Sequence, residues 1–191
     1  MLDGSRLESV AKYGTIIGAL VAASVGIGQC QRGVAQSVKE LEWKQAEMAR
    51  TMVGIMLKDE GWDAMTMLDW KEGRIYEIAP GINVRILPGD VGPALEAALR
   101  TEGPKRTETQ RFIGDRYDRF LFLVGQLQAA VRSGLVRKAD IEFPLSWYVE
   151  KRLCGHRKLL LAYIAVNNTP YAAQYFESLD AWQRCVPSGS S

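Results

Sequence analysis

Nineteen consecutive residues, 13–31 (YGTIIGALVAASVGIGQCQ), carry no charge and are mostly apolar or small. No other stretch of the 191-residue chain matches them. Coiled as an α-helix at about 1.5 Å per residue, the run reaches roughly 28 Å, close to the thickness of a bilayer's hydrocarbon core. Three fates are open to it. A transmembrane helix fits best. A cleaved secretory signal would want a basic leader, yet Asp3 and Glu8 stand beside Arg6 and Lys12. The run Ile27-Gly28-Gln29-Cys30 resembles a lipoprotein cleavage site only loosely, because Gln29 is large where a small residue belongs. A buried core helix would leave so glycine-rich a segment with little side chain to pack.

Lysine and arginine near the ends of a span set its direction. Arg6 and Lys12 precede it; Arg32, Lys39, Lys44 and Arg50 follow. The expectation is therefore a single-pass inner-membrane protein with its C-terminal domain in the cytoplasm. Gly14, Gly18, Ala22 and Gly26 recur every fourth residue within the span. Small residues at that spacing let two helix backbones approach closely in lipid, which favours a homo-oligomer.

Beyond the span, Val34, Val38, Leu41, Gln45, Met48, Met52 and Ile55 alternate spacings of four and three, a heptad seam with one polar member. Two accounts fit it: a parallel coiled-coil stalk, or a stripe packed on the protein's own domain, the commoner use of methionine-rich stripes.

The remainder suits one compact domain. A short helix is expected over 62–70. A β-hairpin is expected from Ile75–Ile78 and the alternating Ile82–Ile86 about Pro80-Gly81. Short helix 93–100 starts at Pro93, and a polar loop follows over 101–108. The best helical signal is Ile113, Tyr117, Phe120, Val124, Leu127 and Val131, with Leu121 widening the face and Gly134 as its stop. Asp140 reads as the cap of a helix running past Pro144 to Leu153. Residues 159–166 read as core, and Thr169-Pro170 opens a last helix carrying Tyr171, Tyr175, Phe176, Leu179 and Trp182. The fold class is thus mainly α. A short segment (1–12), transmembrane helix (13–31), helical stalk (32–57) and four- or five-helix cytoplasmic domain with a small hairpin (58–186) precede a frayed tail (187–191).

Chemistry is sparse in this sequence. Lys plus Arg number 24 against 22 acidic residues, and that balance argues against a nucleic-acid binder. His156 is the single histidine. It cannot build a multi-histidine metal site, and as a general base it lacks an inferable nucleophile and orienting acid. Asp59, Glu60, Asp63 and Asp69 gather around Trp62 and Trp70; helix caps and solvated ends account for them more simply than an acid–base site. No phosphate-binding glycine motif occurs. Lys151, Arg152, Arg157 and Lys158 form the one dense cationic group, a candidate anion site, with Arg116 and Arg119 a lesser one. Cys30, Cys154 and Cys185 are odd in number and scattered, a poor disulfide framework that reads as reduced thiols and a cytoplasmic domain. No catalytic residue, cofactor or metal is expected.

The stretch YDRFLFLVGQLQAAVRSGLVRKADIEFPLSWYVEKRL, with the anchor and stalk before it, resembles a bacterial family of small membrane-anchored, mostly helical proteins of unknown function. The similarity spans 13–57 and 112–182. It implies a bacterial or phage origin and an all-α domain, and it supplies no functional residue; the hairpin at 75–86 lies outside the pattern. The function expected is a membrane-anchored interaction protein (scaffold, assembly subunit or sensor) that binds itself or a protein partner. The alternatives are a ligand-triggered membrane effector of a phage-defence kind, a secreted helical domain, or an anchored enzyme. Protease applied to intact cells should leave the C-terminal domain whole and should digest it in inverted vesicles; digestion in intact cells reverses the topology.

Overall fold

A computed structural model describes residues 36–100 and 102–185. The expected span at 13–31 with Gly14, Gly18, Ala22 and Gly26, the residues Cys30 and Val34, and the tail lie outside the described residues. Among those described, no helix is long and apolar enough to cross a membrane. The chain divides into two units between Lys44 and Gln45.

The described residues are mainly helical, with eight α-helices and one two-stranded antiparallel hairpin. In order they are α1 (36–56), α2 (Asp59–Asp69), β1 (Arg74–Ala79), β2 (Ile82–Ile86), α3 (Pro88–Leu99), α4 (Glu108–Arg132) and α5 (Lys138–Tyr148). A π-turn (Val149–Leu153) and a 3-10 turn (Cys154–His156) then lead into α6 (Arg157–Val166), α7 (Pro170–Ser178) and α8 (Asp180–Gln183).

Helix α4 is the spine. Thr107 caps it: its hydroxyl accepts from the Gln110 N–H at 3.1 Å, and Gln110 Oε1 accepts from the Thr107 N–H at 3.0 Å. Its far end closes with Gly134 at φ +72°, the Leu135 N–H reaching the Ala130 carbonyl and the Gly134 N–H reaching that of Val131. Between these ends Ile113, Tyr117, Phe120, Leu121, Val124 and Leu127 are buried, the face that the sequence periodicity marks. Helices α2, α3 and α7 pack around it. Phe120 lies edge-on to Tyr117 and Tyr148 with ring centres 6.4 and 6.1 Å away, and Phe176 stacks on Trp182 at 5.1 Å.

Four sequence expectations need correction. Past residue 57 the described residues form seven α-helices, α2 to α8, where four or five were expected, because turns at 149–156 and at Leu179 divide the longer ones. Helix α3 starts at Pro88, five residues before Pro93, because Pro88 fills the first-turn position and Asp90 Oδ2 accepts from the Leu87 N–H at 2.8 Å. Asp140 is not a cap but lies in the first turn of α5, where both its oxygens accept from Arg137 at 2.8 and 2.9 Å. The last helix ends at Ser178 and restarts at Asp180, so Tyr171 is exposed while Tyr175, Phe176, Leu179 and Trp182 are buried.

The heptad seam also divides. In α1 the inward face of the second unit is Gln45, Ala49, Met52, Val53 and Met56; Gln45 Nε2 donates to the Gly134 carbonyl at 2.7 Å. Met48 and Ile55, alternate members of the seam, are exposed, as are Val38 and Leu41 in the first unit. Within the second unit the helix therefore turns one apolar face to its own domain and leaves Met48 and Ile55 outward. The turn from α1 into α2 depends on Gly61, where a Cβ would lie 2.4 Å from the Met56 carbonyl oxygen.

Five phenols carry much of the polarity of the interior. Tyr117 and Tyr148 hydroxyls both donate to the Ala64 carbonyl at 3.2 Å. Tyr76 pairs with Thr66 at 2.9 Å, Tyr175 donates to the Ile141 carbonyl at 3.3 Å, and Tyr163 to Asp118 at 2.7 Å. Burial is the largest cause raising the pKa of all five above that of an ordinary phenol. A phenol in the unfolded chain ionises near pH 10. The folded pKa being higher, this contribution to stability is intact below about pH 10 and is lost as pH climbs toward the folded values. Urea midpoints should be level from pH 7 to 9 and fall steeply above about pH 10, with a shallower fall in Tyr117→Phe; a level profile to pH 11 contradicts the buried-phenol account.

Candidate functional site

An open groove of about 600 Å³ runs between α3 and the start of α6, within the usual size range of small-molecule sites. One wall is Pro88, Gly89, Gly92, Pro93, Glu96 and Leu99 of α3; the other is Gly155, His156, Lys158, Leu159 and Ala162. The α3 wall is nearly bare of side chains. A Cβ on Gly89 would meet nothing within 4 Å, and one on Gly92 only Leu159 Cδ2 at 4.0 Å. Pro93 has no N–H to give the Gly89 carbonyl, so the helical bond between them is missing at the groove wall. The opposite wall follows the π-turn and the 3-10 turn, irregular backbone of the sort that re-aims side chains. His156 is there the half-buried last residue of the 3-10 turn and the N-cap of α6, at φ −109° and ψ 8°. The groove thus offers a carboxylate on one side, with an imidazole and an ammonium on the other.

The four cations singled out at 151–158 do not converge on one point. Arg152 makes Nε and Nη2 contacts of 2.6 and 2.5 Å to Asp69 Oδ1. Lys151 reaches Glu150 at 2.7 Å. Arg157 donates through Nη1 to the Cys185 carbonyl at 3.0 Å and lies over the Trp182 ring at 5.4 Å. Lys158 alone of the four lines the groove. The acidic group near the tryptophans is dispersed in the same way: Asp63 Oδ2 is 3.3 Å from Arg116 Nε, and Asp69 holds Arg152. Among the described residues no group of three or more His, Cys, Asp or Glu is placed to hold a metal ion. Arg116 also stacks over Phe112 at 4.4 Å and Arg119 over Phe122 at 5.5 Å.

Beside the groove lies a feature the cysteine spacing did not reveal. Cys154 and Cys185, 31 residues apart, form a disulfide with Cα atoms 5.1 Å apart. The reading of all three cysteines as reduced thiols is therefore corrected for this pair in the structure. Scatter along a sequence says nothing about distance once α8 folds back onto the π-turn. The bond, the Arg157–Cys185 hydrogen bond and the Arg157–Trp182 stack together hold the C-terminal end as a clasp.

Comparison with family models, curated proteins and solved structures returned no match for this chain.

A closed loop of this length stabilises the folded state by roughly 3–4 kcal/mol, chiefly through the unfolded chain. Replacing both cysteines with serine should lower the non-reducing urea-unfolding free energy by about that amount. A reductant should lower the native protein equally and leave the double variant unchanged; equal stability with and without the bond would make the clasp energetically idle.

Proposed function

We propose that this chain is a single-pass, membrane-tethered interaction protein whose helical domain lies on the cytoplasmic side and pairs with a second copy of itself. The observation that carries the reading is the outward stripe of α1. Met48 and Ile55, in the second unit, stand seven residues apart and are 45% and 51% exposed. A seven-residue apolar repeat supplies one of the two heptad positions that a supercoiled partner helix packs against, and packing on one's own domain does not require it to face outward. The inward stripe already serves the latter purpose through Ala49, Met52 and Met56. Two further features support pairing. Gly14, Gly18, Ala22 and Gly26 precede this helix with the small-residue spacing that membrane helices use to associate. The uncharged run at 13–31 restricts two copies to one plane, which raises their effective concentration.

A scaffold or sensor role follows from this architecture more readily than catalysis, since the charged side chains singled out by the sequence largely hold structural partners. Cross-linking in native membranes should trap a two-copy species of the full chain. Met48→Glu combined with Ile55→Glu should reduce that species at least tenfold, while the helical circular-dichroism signal stays at the native level. A chain that runs as a single copy in membranes, or a double variant that pairs as well as the native one, overturns the proposal.

A further inference from the structure

We propose that Cys154 and Cys185 form a reversible thiol switch, with Cys154 the site of attack by a hydroperoxide. The inference rests on the cytoplasmic placement above. In a reducing compartment a disulfide is transient and redox-sensing, whereas permanent bridges belong to oxidising compartments.

Three features of the clasp fit a bond that opens and closes. The first is asymmetry. Cys154 is half-buried, in the only π- and 3-10 stretch among the described residues, while Cys185 is 4% exposed. Cys154 is thus the more open residue of the pair and Cys185 the more sheltered. The second is that the ends stay together without the bond. Leu179 and Trp182 are fully buried, Phe176 stacks on Trp182, and Arg157 holds the Cys185 carbonyl. The reduced thiols therefore remain close enough to rejoin. The third is the charge at the sheltered end. The Arg157 guanidinium is fixed to the Cys185 carbonyl, and a cation there favours the Cys185 thiolate both as the group that leaves on opening and as the sulfur that displaces water from the Cys154 sulfenic acid on closing. Access, not acidity, therefore makes Cys154 the sulfur that meets the hydroperoxide.

The chemistry balances at each step. On closing, the Cys154 thiolate attacks the terminal oxygen of a hydroperoxide. A sulfenic acid forms on Cys154 and an alcohol, or water from hydrogen peroxide, departs. The Cys185 thiol then gives up its proton, its sulfur bonds to Cys154 and water leaves. Two thiols and one hydroperoxide yield a disulfide, one alcohol and one water. On opening, a dithiol of the thioredoxin class attacks Cys154, Cys185 departs as the thiolate, and the second thiol of the reductant resolves the mixed disulfide. The reductant is oxidised to its own disulfide. Closure fixes the turn that carries Gly155 and His156 into the wall of the α3–α6 groove, so the switch sets the shape of that wall.

The test uses the full chain in its own cells. Thiols are trapped by acid, labelled with a polyethylene-glycol maleimide after denaturation, and mapped by peptide mass spectrometry. Unstressed cells should show Cys154 and Cys185 free. Brief hydrogen peroxide should convert them to one intramolecular disulfide that disappears on recovery. A pair oxidised before stress, or one still free after it, overturns the switch. Protease digestion of vesicles, run in parallel, separates the causes. An always-oxidised pair on a cytoplasmic domain refutes the switch alone, and the same pair on an external domain refutes the placement as well. A dimedone probe, which captures sulfenic acid, should label Cys154 in the Cys185→Ser variant and leave Cys185 unlabelled in Cys154→Ser; the reverse pattern refutes the assigned site. Arg157→Gln should slow reduction of the oxidised protein by dithiothreitol roughly threefold, and an unchanged rate removes the leaving-group role of Arg157.

Discussion

A single backbone acceptor organises the interior. The Ala64 carbonyl receives the hydroxyls of Tyr117 from α4 and Tyr148 from α5, each at 3.2 Å. A buried phenol costs free energy unless its proton finds an acceptor, and here two phenols from different helices converge on one residue of a third. Ala64 suits the position because it is fully buried and adds little bulk against the rings. Moving α2 along or about its axis would leave two buried hydroxyls unmatched at once. The hydrophobic contacts around Phe120 supply bulk stabilisation without direction, and this pair of hydrogen bonds supplies the register. The Asp63–Arg116 pair then binds the middle of α2 to α4, and the Asp69–Arg152 pair binds its C-terminal end to the π-turn.

How far the sequence revealed this depended on whether the determining contact was local. Helix α4 was legible because its cap, its stripe and its glycine stop all lie within one stretch of chain. The hairpin was legible for the same reason, with Gly81 at φ +76° in the turn between alternating strands. Helix α3 was misplaced at its start because Pro88-Gly89 has two meanings in one dimension. It closes a hairpin or opens a helix, and the Asp90 side chain decides between them. The α1 seam was half legible. Its period was visible, yet nothing in a repeat says which face a domain will take, and Ala49 and Met56, both outside the seam, turned out to be the buried residues of the helix. The clasp and the groove were not legible at all. Both are made of residues distant in sequence, and the groove wall consists largely of glycine and proline, whose contribution is the absence of side chain.

Charge in this protein serves mainly to hold elements together. Arg152 and Arg157 lie five residues apart and were read from sequence as parts of one cationic patch. In the structure one reaches back 83 residues to Asp69, and the other forward 28 to Cys185. Cation–ring contacts use the same economy: Arg116, Arg119, Arg132 and Arg157 each cover an aromatic side chain. Two of these rings, Phe112 and Trp182, are buried, and two, Phe122 and Tyr171, are exposed.

The divergence of Arg152 and Arg157 has a geometric origin in the turn between them. Pro144 disfavours helical geometry at the residue before it, and Phe143 accordingly takes φ −92° and ψ 134° and stands 74% exposed. That break lets α5 change direction without losing its inward face, Ile141, Leu145 and Tyr148. The π-turn then admits one residue more than an α-turn, which rotates the following side chains by roughly 100° relative to an uninterrupted helix. Val149 and Leu153 stay in the core, Arg152 is presented to α2, and Cys154 to α8. The 3-10 turn tightens the chain again, and α6 resumes with Leu160, Tyr163 and Ile164 inward. An uninterrupted helix over 138–166 could not serve all three neighbours, because its phase is fixed by its first turn. The departures from α geometry at 143 and 149–156 are thus the means by which one segment braces α2, carries the thiol clasp and walls the groove.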